Sequence, residues 1–403
     1  MALEGQDIVA LTYSDWHASW STPQQIAVRL APANRVLYVD VPRSFLYWLK
    51  PADPQGAGQW RGPSIQEVRP NLHVYHPPHA FAPVGRLPFA AARRTLEANG
   101  RLLARQIRAA LRALNMRDPI LWNFSPLHGT AIPRLPAKLT IYDICDEWGS
   151  YIEDRGGREV TAWIEDRLTR SADLVFVGTE NMKARREGLN PEIHVVYHAA
   201  DYEHFAQASL PDTPVPDDIA RLPQPVIGAI GVMDPQRFDV DMIEHIARSR
   251  PGWSIALVGP ARAGLDLSRL KSCANVYLLG NRPIAELPLY LKGMAVALIP
   301  YKVNEATANI YPLKLQEYLA SGRPVVSAPL PAILPYQNVV GIAETHPDIV
   351  EQIQRALDGD SPERQMARQE VARQNSWEHR VEEKSAHILR RLAVTREGGP
   401  TTS

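Results

Sequence analysis

The sequence predicts an α/β protein made of two Rossmann-like domains with parallel sheets. Three observations carry that expectation. The chain has 403 residues, more than one hydrophobic core usually organises. Short runs rich in β-branched residues alternate with helical stretches, which is the rhythm of βαβ units. The rhythm breaks once, at the Pro- and Asp-rich LPDTPVPDDIARLPQP (210–225), and then restarts. The predicted organisation is an N-terminal domain over 1–209, a linker over 210–225, a C-terminal domain over 226–375, and a last helix with a disordered tail over 376–403. Ligands of open parallel sheets bind beyond the C-terminal strand ends. Two such domains facing each other would bring both sets of loops into one cleft, which suits a two-substrate reaction.

DIVALTY (7–13) is the first strand and runs into the polar loop YSDWHASWST (13–22). Thr22 and Pro23 open a helix through Leu30, with Thr as cap and Pro in the first turn. RVLYVDVP (35–42) is the second strand, and residues 89–114 form a long helix. PILWNFS (119–125), LTIYDI (139–144), LVFVGT (174–179) and HVVYHAA (194–200) supply the remaining strands of the first domain. The second domain reads VIGAIG (226–231), a helix near 239–248, WSIALVG (253–259), NVYLLG (275–280), VALIPY (296–301), the helix PLKLQEYLAS (312–321) and PVVSA (324–328). Residues 362–392 form a helical segment broken near Asn375-Ser376.

Composition narrows the function. With 45% apolar and 22% charged residues the chain is of the soluble globular type. A formal net charge of zero gives no global field for nucleic acid. Two cysteines, Cys145 and Cys273, make neither a disulfide framework nor a Cys-based zinc site, and they suit a reducing cytoplasm. The start MALEGQDIVALTYSDW lacks the features of a signal peptide, and no apolar run is long enough to span a bilayer. His73, His76 and His79 in HVYHPPH do not have a usual metal-ligand spacing, so neither a metal nor a cofactor is expected. No Gly-x-Gly-x-x-Gly or P-loop motif is present.

The segment ATANIYPLKLQEYLASGRPVVSAPLP (306–331) holds the strongest chemical signal. Pro312 starts its helix and Gly322 ends it. A helix N-terminus offers free N–H groups and the positive end of a dipole, which suits a diphosphate. Lys314 adds a cation in the first turn. Glu317 follows on the same face, where a carboxylate can accept two hydrogen bonds from a ribose diol. The same spacing also fits a plain surface helix with a Lys–Glu pair.

ANIYPLKLQEYLASGRPVVS resembles the donor-binding segment of the retaining "group 1" glycosyltransferases of the GT-B fold. The similarity runs in register from 194 to about 380: VVYHAADYEHF, IGAIGVMDPQRFDVDMI, NVYLLGNRPIAELPLYL and NSWEHR all have counterparts. The resemblance implies metal-independent transfer of a sugar from a nucleotide diphosphate to a saccharide or lipid-linked acceptor, as in bacterial polysaccharide biosynthesis. It also implies a last helix that crosses back to the first domain. Glu317 matches the second Glu of the family's Glu-x7-Glu motif, which holds the ribose. Asn309 stands where the first Glu contacts the sugar. Gly231, Arg237, Arg282, Asn309, Pro312, Leu313, Lys314 and Glu317 are the implied donor-binding set, with Arg237 a phosphate-binding cation and the backbone near Arg282 meeting the base. A sugar-nucleotide epimerase, or a non-catalytic subunit of the same fold, are the alternatives.

YDICDEW (142–148) follows a strand, so Asp143 and Asp146 are candidate catalytic carboxylates and Glu147 a candidate acceptor ligand. Trp16, His17 and Trp20 offer faces for sugar stacking. Residues 1–138 carry 16 Lys+Arg against 8 Asp+Glu. Arg94, Arg101, Arg105, Arg108 and Arg112 fall on one stripe of the long helix, opposite Leu96, Leu103, Ile107, Leu111 and Leu114. Such a stripe is a solvated face or a docking surface for an anionic membrane.

Overall fold

A computed structural model of the chain describes residues 3–18, 20–46, 63–78, 81–84, 87–152, 154–308 and 310–397. The chain divides into two compact units: Met1–Tyr197 with Arg380–Ser403, and His198–His379. Residues 210–225, read above as a linker, therefore lie inside the second unit.

The first unit contains β1 (Asp7–Leu11), α1 (Thr22–Leu30), β2 (Arg35–Val39), β3 (Ser64–Arg69), β4 (Leu72–His76), α2 (Phe89–Ala113), β5 (Ile120–Asn123), β6 (Leu139–Ile144), α3 (Arg155–Ser171), β7 (Leu174–Val177), α4 (Glu180–Ala184) and β8 (Ile193–Val195). Its sheet runs β3-β4-β2-β1-β5-β6-β7-β8. All neighbours are parallel except the edge hairpin of β3 and β4. The inner strands are covered on both faces, so β5, β6 and β7 are nearly continuous apolar runs. Helix α1 starts at Thr22, and its N-cap lies one residue before the expected one: Ser21 forms a capping box with Gln24. In α2, Leu96, Leu103, Ile107 and Leu111 are buried in the core shared with Ile164 and Leu168 of α3. Arg94, Arg101, Arg105, Arg108 and Arg112 are all exposed.

The second unit contains α5 (Tyr202–Ala206), α6 (Asp217–Ala220), β9 (Val226–Ile230), α7 (Val240–Ser249), β10 (Ser254–Val258), α8 (Ser268–Lys271), β11 (Val276–Gly280), α9 (Leu287–Lys292), β12 (Val296–Ile299), α10 (Glu305–Ala308), α11 (Leu313–Ala320), β13 (Val325–Ser327), β14 (Val340–Ile342), α12 (His346–Gly359) and α13 (Pro362–Gln374). The six strands are parallel in the order β11-β10-β9-β12-β13-β14. Counted in sequence order this is 3-2-1-4-5-6, the doubly wound arrangement, with its reversal between β9 and β12.

Asn375 and Ser376 separate α13 from α14 (Trp377–Glu397), as the sequence suggested. From Arg380 onward α14 belongs to the first unit. Lys384 is buried there and donates to the buried carboxylate of Asp143, which also accepts from Trp122 Nε1 at 3.0 Å. His387 lies edge-on to Phe176 of β7. The C-terminal helix thus covers the sheet face that carries Trp122, Asp143 and Phe176.

Candidate functional site

In the second unit, the strand ends beside the topological reversal are shaped by glycine. Gly231 and Gly259 directly follow β9 and β10, each with φ near +140°, where side chains are rarely accommodated. A Cβ on Gly259 would stand 2.0 Å from the Gly231 carbonyl oxygen. Above them lies the start of α11. Tyr318 of α11 donates to the Ile230 carbonyl at 3.1 Å and accepts from the Ile230 amide at 2.7 Å, which fastens the helix to the end of β9. Pro312 is the N-cap and provides no side-chain acceptor, but its carbonyl accepts the Leu315 amide at 3.0 Å, so the Leu313 and Lys314 amides head the helix.

Lys314 runs past Gly231: a Cβ there would be 3.3 Å from Lys314 Cε. Its ammonium pairs with Glu317 Oε2 at 2.6 Å, both side chains being mostly buried. The guanidinium of Arg237 has no hydrogen bond or ion pair among the described residues, and its carbonyl accepts from the Lys302 amide at 2.7 Å. Tyr301 is kept protonated mainly by burial, and its hydroxyl feels both Arg237 and Glu317. Lys314 and Glu317 thereby meet beside the glycine-shaped end of β9, and the backbone of Arg237 is joined to the segment that follows β12. Leu313 projects outward, 42% exposed. Arg282 is otherwise occupied: its guanidinium bonds Asp218 at 2.7 Å and Tyr290, which leaves its backbone as the part free for a ligand. Asn309 lies outside the described residues.

Two Asp-x-Asp triplets are engaged structurally. Asp239 caps α7 through the Met242 amide, and Asp241 pairs with Arg269 at 2.6 Å. Asp358 accepts from Gln354, and Asp360 binds Arg368. No group of three or more metal-ligating side chains forms among the described residues.

In the first unit the sequence reading needs correction at three residues. Asp143 is 3% exposed and held by Lys384 and Trp122, so it is a buried anchor and not an open carboxylate. Glu147 is paired with Arg186 through both oxygens, at 3.1 and 3.3 Å. Trp16 is buried edge-on to Tyr38, so it packs the loop and presents no face. Asp146, His17 and Trp20 remain exposed, with Arg69 over the Trp20 ring. His73 and His76 are three residues apart on β4 and so point to opposite sheet faces.

Residues 224–358 match the family model "Glycosyl transferases group 1". The chain is 29% identical over 263 residues to the putative teichuronic acid biosynthesis glycosyltransferase TuaH of Bacillus subtilis (strain 168), an alignment that spans 59% of this chain and 63% of that one. Among solved structures it is similar to a UDP-forming trehalose-phosphate synthase from Burkholderia xenovorans (TM-score 0.67, 12% identity, 97% of this chain and 99% of that chain). Sucrose-phosphate synthase from Thermosynechococcus elongatus gives TM-score 0.64 at 15% identity, over 96% of this chain and 99% of that chain. Anabaena HepE in complex with UDP and glucose gives 0.56 at 16%, over 95% and 99%. The chain is thus similar to group 1 glycosyltransferases over its second unit.

The fold is GT-B, as in its structural neighbours. Sequence reasoning missed two features of it. Tyr318 pins α11 to β9, but as one of several apolar positions on a helix it carries no separate signal. Asp40 and His76 are hydrogen-bonded, Nδ1 to Oδ2 at 2.5 Å, at the ends of β2 and β4. The histidine triplet was visible, but nothing local linked it to a residue 36 positions earlier.

Proposed function

We propose that the chain transfers a sugar from a nucleotide diphosphate to a saccharide or lipid-linked acceptor during polysaccharide biosynthesis, without a metal and with retention. The observation that carries this is the Lys314–Glu317 pair at the first turn of α11, with Lys314 running past Gly231 at the glycine-shaped end of β9. Charge builds on the departing diphosphate in the transition state, and two cations with a helix N-terminus answer that demand electrostatically. Glu317 would take the ribose diol, and Asn309 a hydroxyl of the donor sugar. The backbone beside Arg282 would meet the base. The role in teichuronic acid biosynthesis that the name of the Bacillus relative gives supports a polysaccharide acceptor.

The proposal extends to location. The arginine stripe of α2 would hold the protein at the inner face of the cytoplasmic membrane, where lipid-linked acceptors reside. Glu97, the acidic residue beside the stripe, is turned away from it and bonds Arg134 at 2.6 Å and Arg167 at 2.8 Å.

A thermal-shift panel of UDP, GDP, ADP and dTDP, followed by turnover of the matching labelled sugar nucleotides with and without acceptor, tests the reading. A nucleotide at 100 times its Kd adds about 2.7 kcal/mol. Transfer that persists in chelator is expected. Epimerised donor without transfer would favour an epimerase, and no turnover at all a non-catalytic subunit.

A further inference from the structure

Beyond the donor side, the carboxyl ends of three neighbouring strands of the first sheet, β4, β2 and β1, gather a second polar constellation. Asp40 follows β2 and is 6% exposed. Its amide continues the ladder to the Tyr75 carbonyl of β4 at 3.0 Å. Both carboxylate oxygens are used: Oδ1 accepts the Trp16 amide at 2.8 Å, and Oδ2 meets Nδ1 of His76 at 2.5 Å. His76 is the last residue of β4, with its side chain 20% exposed. The exposed ring of His17, from the loop after β1, lies nearly parallel to it, 14° apart with centroids at 6.4 Å.

A carboxylate on Nδ1 fixes the imidazole's orientation and its tautomer, leaving Nε2 with its lone pair. Asp40 is itself over-determined, because the Trp16 amide and the strand ladder hold it. The imidazole is therefore preorganised, and among the described residues Nε2 has no hydrogen-bond partner. Strand ends of this kind are where parallel sheets receive ligands. A buried Asp that serves only to aim a partly exposed His is an expensive arrangement for packing alone, since an apolar pair would fill the space.

We propose that His76 is an acceptor-binding residue: Nε2 accepts a hydrogen bond from a hydroxyl of the acceptor saccharide, and Asp40 is the positioning residue behind it. This rests on the glycosyltransferase reading above and adds to it the place where the acceptor is recognised.

The test compares wild type with His76→Ala, His76→Gln and Asp40→Asn, using UDP-, GDP- and dTDP-hexoses as donors and octyl glycosides as acceptors, with UDP affinity measured by calorimetry. Loss of one neutral hydrogen bond should raise KM for the octyl glycoside about three- to tenfold in His76→Ala, more than it lowers kcat, with UDP affinity kept. His76→Gln should recover part of the loss, because its amide can still meet the hydroxyl. Asp40→Asn should weaken acceptor use in the wild-type background and add nothing in the His76→Ala background. Acceptor KM unchanged in His76→Ala would overturn the assignment while leaving the transferase reading intact. UDP affinity lost in the same variant would make the pair structural and overturn it equally. Failure of the wild type to transfer to any octyl glycoside from any of these donors would bring down the transferase reading, and this one with it.

Discussion

Lys314 and Glu317 satisfy each other at 2.6 Å. In the proposed function they separate, one toward phosphate and one toward ribose, so donor binding exchanges an existing ion pair for new contacts. Removing Glu317 costs charge-assisted hydrogen bonds of roughly 1.5–3 kcal/mol but frees Lys314 from its partner. Glu317→Ala should therefore weaken nucleotide binding by about tenfold, toward the lower end of that range. Calorimetry with UDP checks it, and unchanged affinity would remove Glu317 from the site. A second carboxylate makes a prediction about pH. Glu165 is pushed up to about 7, chiefly by burial, despite Arg186 at 3.6 Å. With its pKa raised on folding, Glu165 contributes fully to stability below the unfolded value near 4.3, and this fades as pH rises to about 7. Glu165→Gln should thus compare more favourably with wild type at pH 8 than at pH 5, by on the order of 2 kcal/mol. Melting curves at the two pH values decide it, and a difference independent of pH would show that Glu165 titrates normally.

Among the elements, α14 depends most on a single contact. Lys384 and Asp143 are both about 5% exposed and bonded to each other. Breaking a buried ion pair from one side typically costs 3–5 kcal/mol, because the remaining charge stays buried. Lys384→Ala should lower the unfolding free energy by about that much, and Lys384→Ala with Asp143→Asn by clearly less. Denaturant titration of the single and double variants measures the coupling, and additive effects would deny it. The elements also show what the sequence made legible. Strands β5, β6, β7, β9 and β10 are buried on both faces and could be read directly as apolar runs. The break at Asn375-Ser376 was legible because a polar pair interrupts two helical patterns. The hairpin of β3 and β4 was not: SIQEVR of β3 is largely exposed at the sheet edge, and LHVYH of β4 carries histidines that read as chemistry before they read as a strand. Helices α3 and α12 were passed over for a related reason, since many of their positions face solvent. At the candidate site, Lys314 and Glu317 drew attention by their place in the first turns of a helix, and Arg237 through the family resemblance alone. The fate of Asp143 could not, because its partner lies 241 positions later.

For the whole molecule, a formal net charge of zero conceals a lopsided surface. The five arginines of the α2 stripe are exposed, and Arg108 Nη1 reaches the Arg134 carbonyl at 3.2 Å. Each arginine near an anionic leaflet is worth about 1 kcal/mol, enough in sum for reversible, salt-sensitive attachment. Wild type should sediment with vesicles containing anionic lipid and not with neutral ones. Changing Arg101, Arg105 and Arg108 to Glu should abolish this. Equal recovery from both kinds of vesicle, or no effect of the triple change, would leave α2 as an ordinary wet helix. No helix among the described residues is long and apolar enough to cross a membrane.

The first unit is discontinuous, and this orders events on the ribosome. Asp143 is synthesised 241 residues before Lys384, which at about 5–20 residues per second means roughly ten to fifty seconds of translation. During that interval the face of Trp122, Asp143 and Phe176 has no covering helix, and it carries a carboxylate without its cation. The second unit, His198–His379, is fully synthesised before the segment that completes the first. The half of the protein made first is therefore the half that finishes folding last, and a chaperone that shields nascent apolar surface would find its target there.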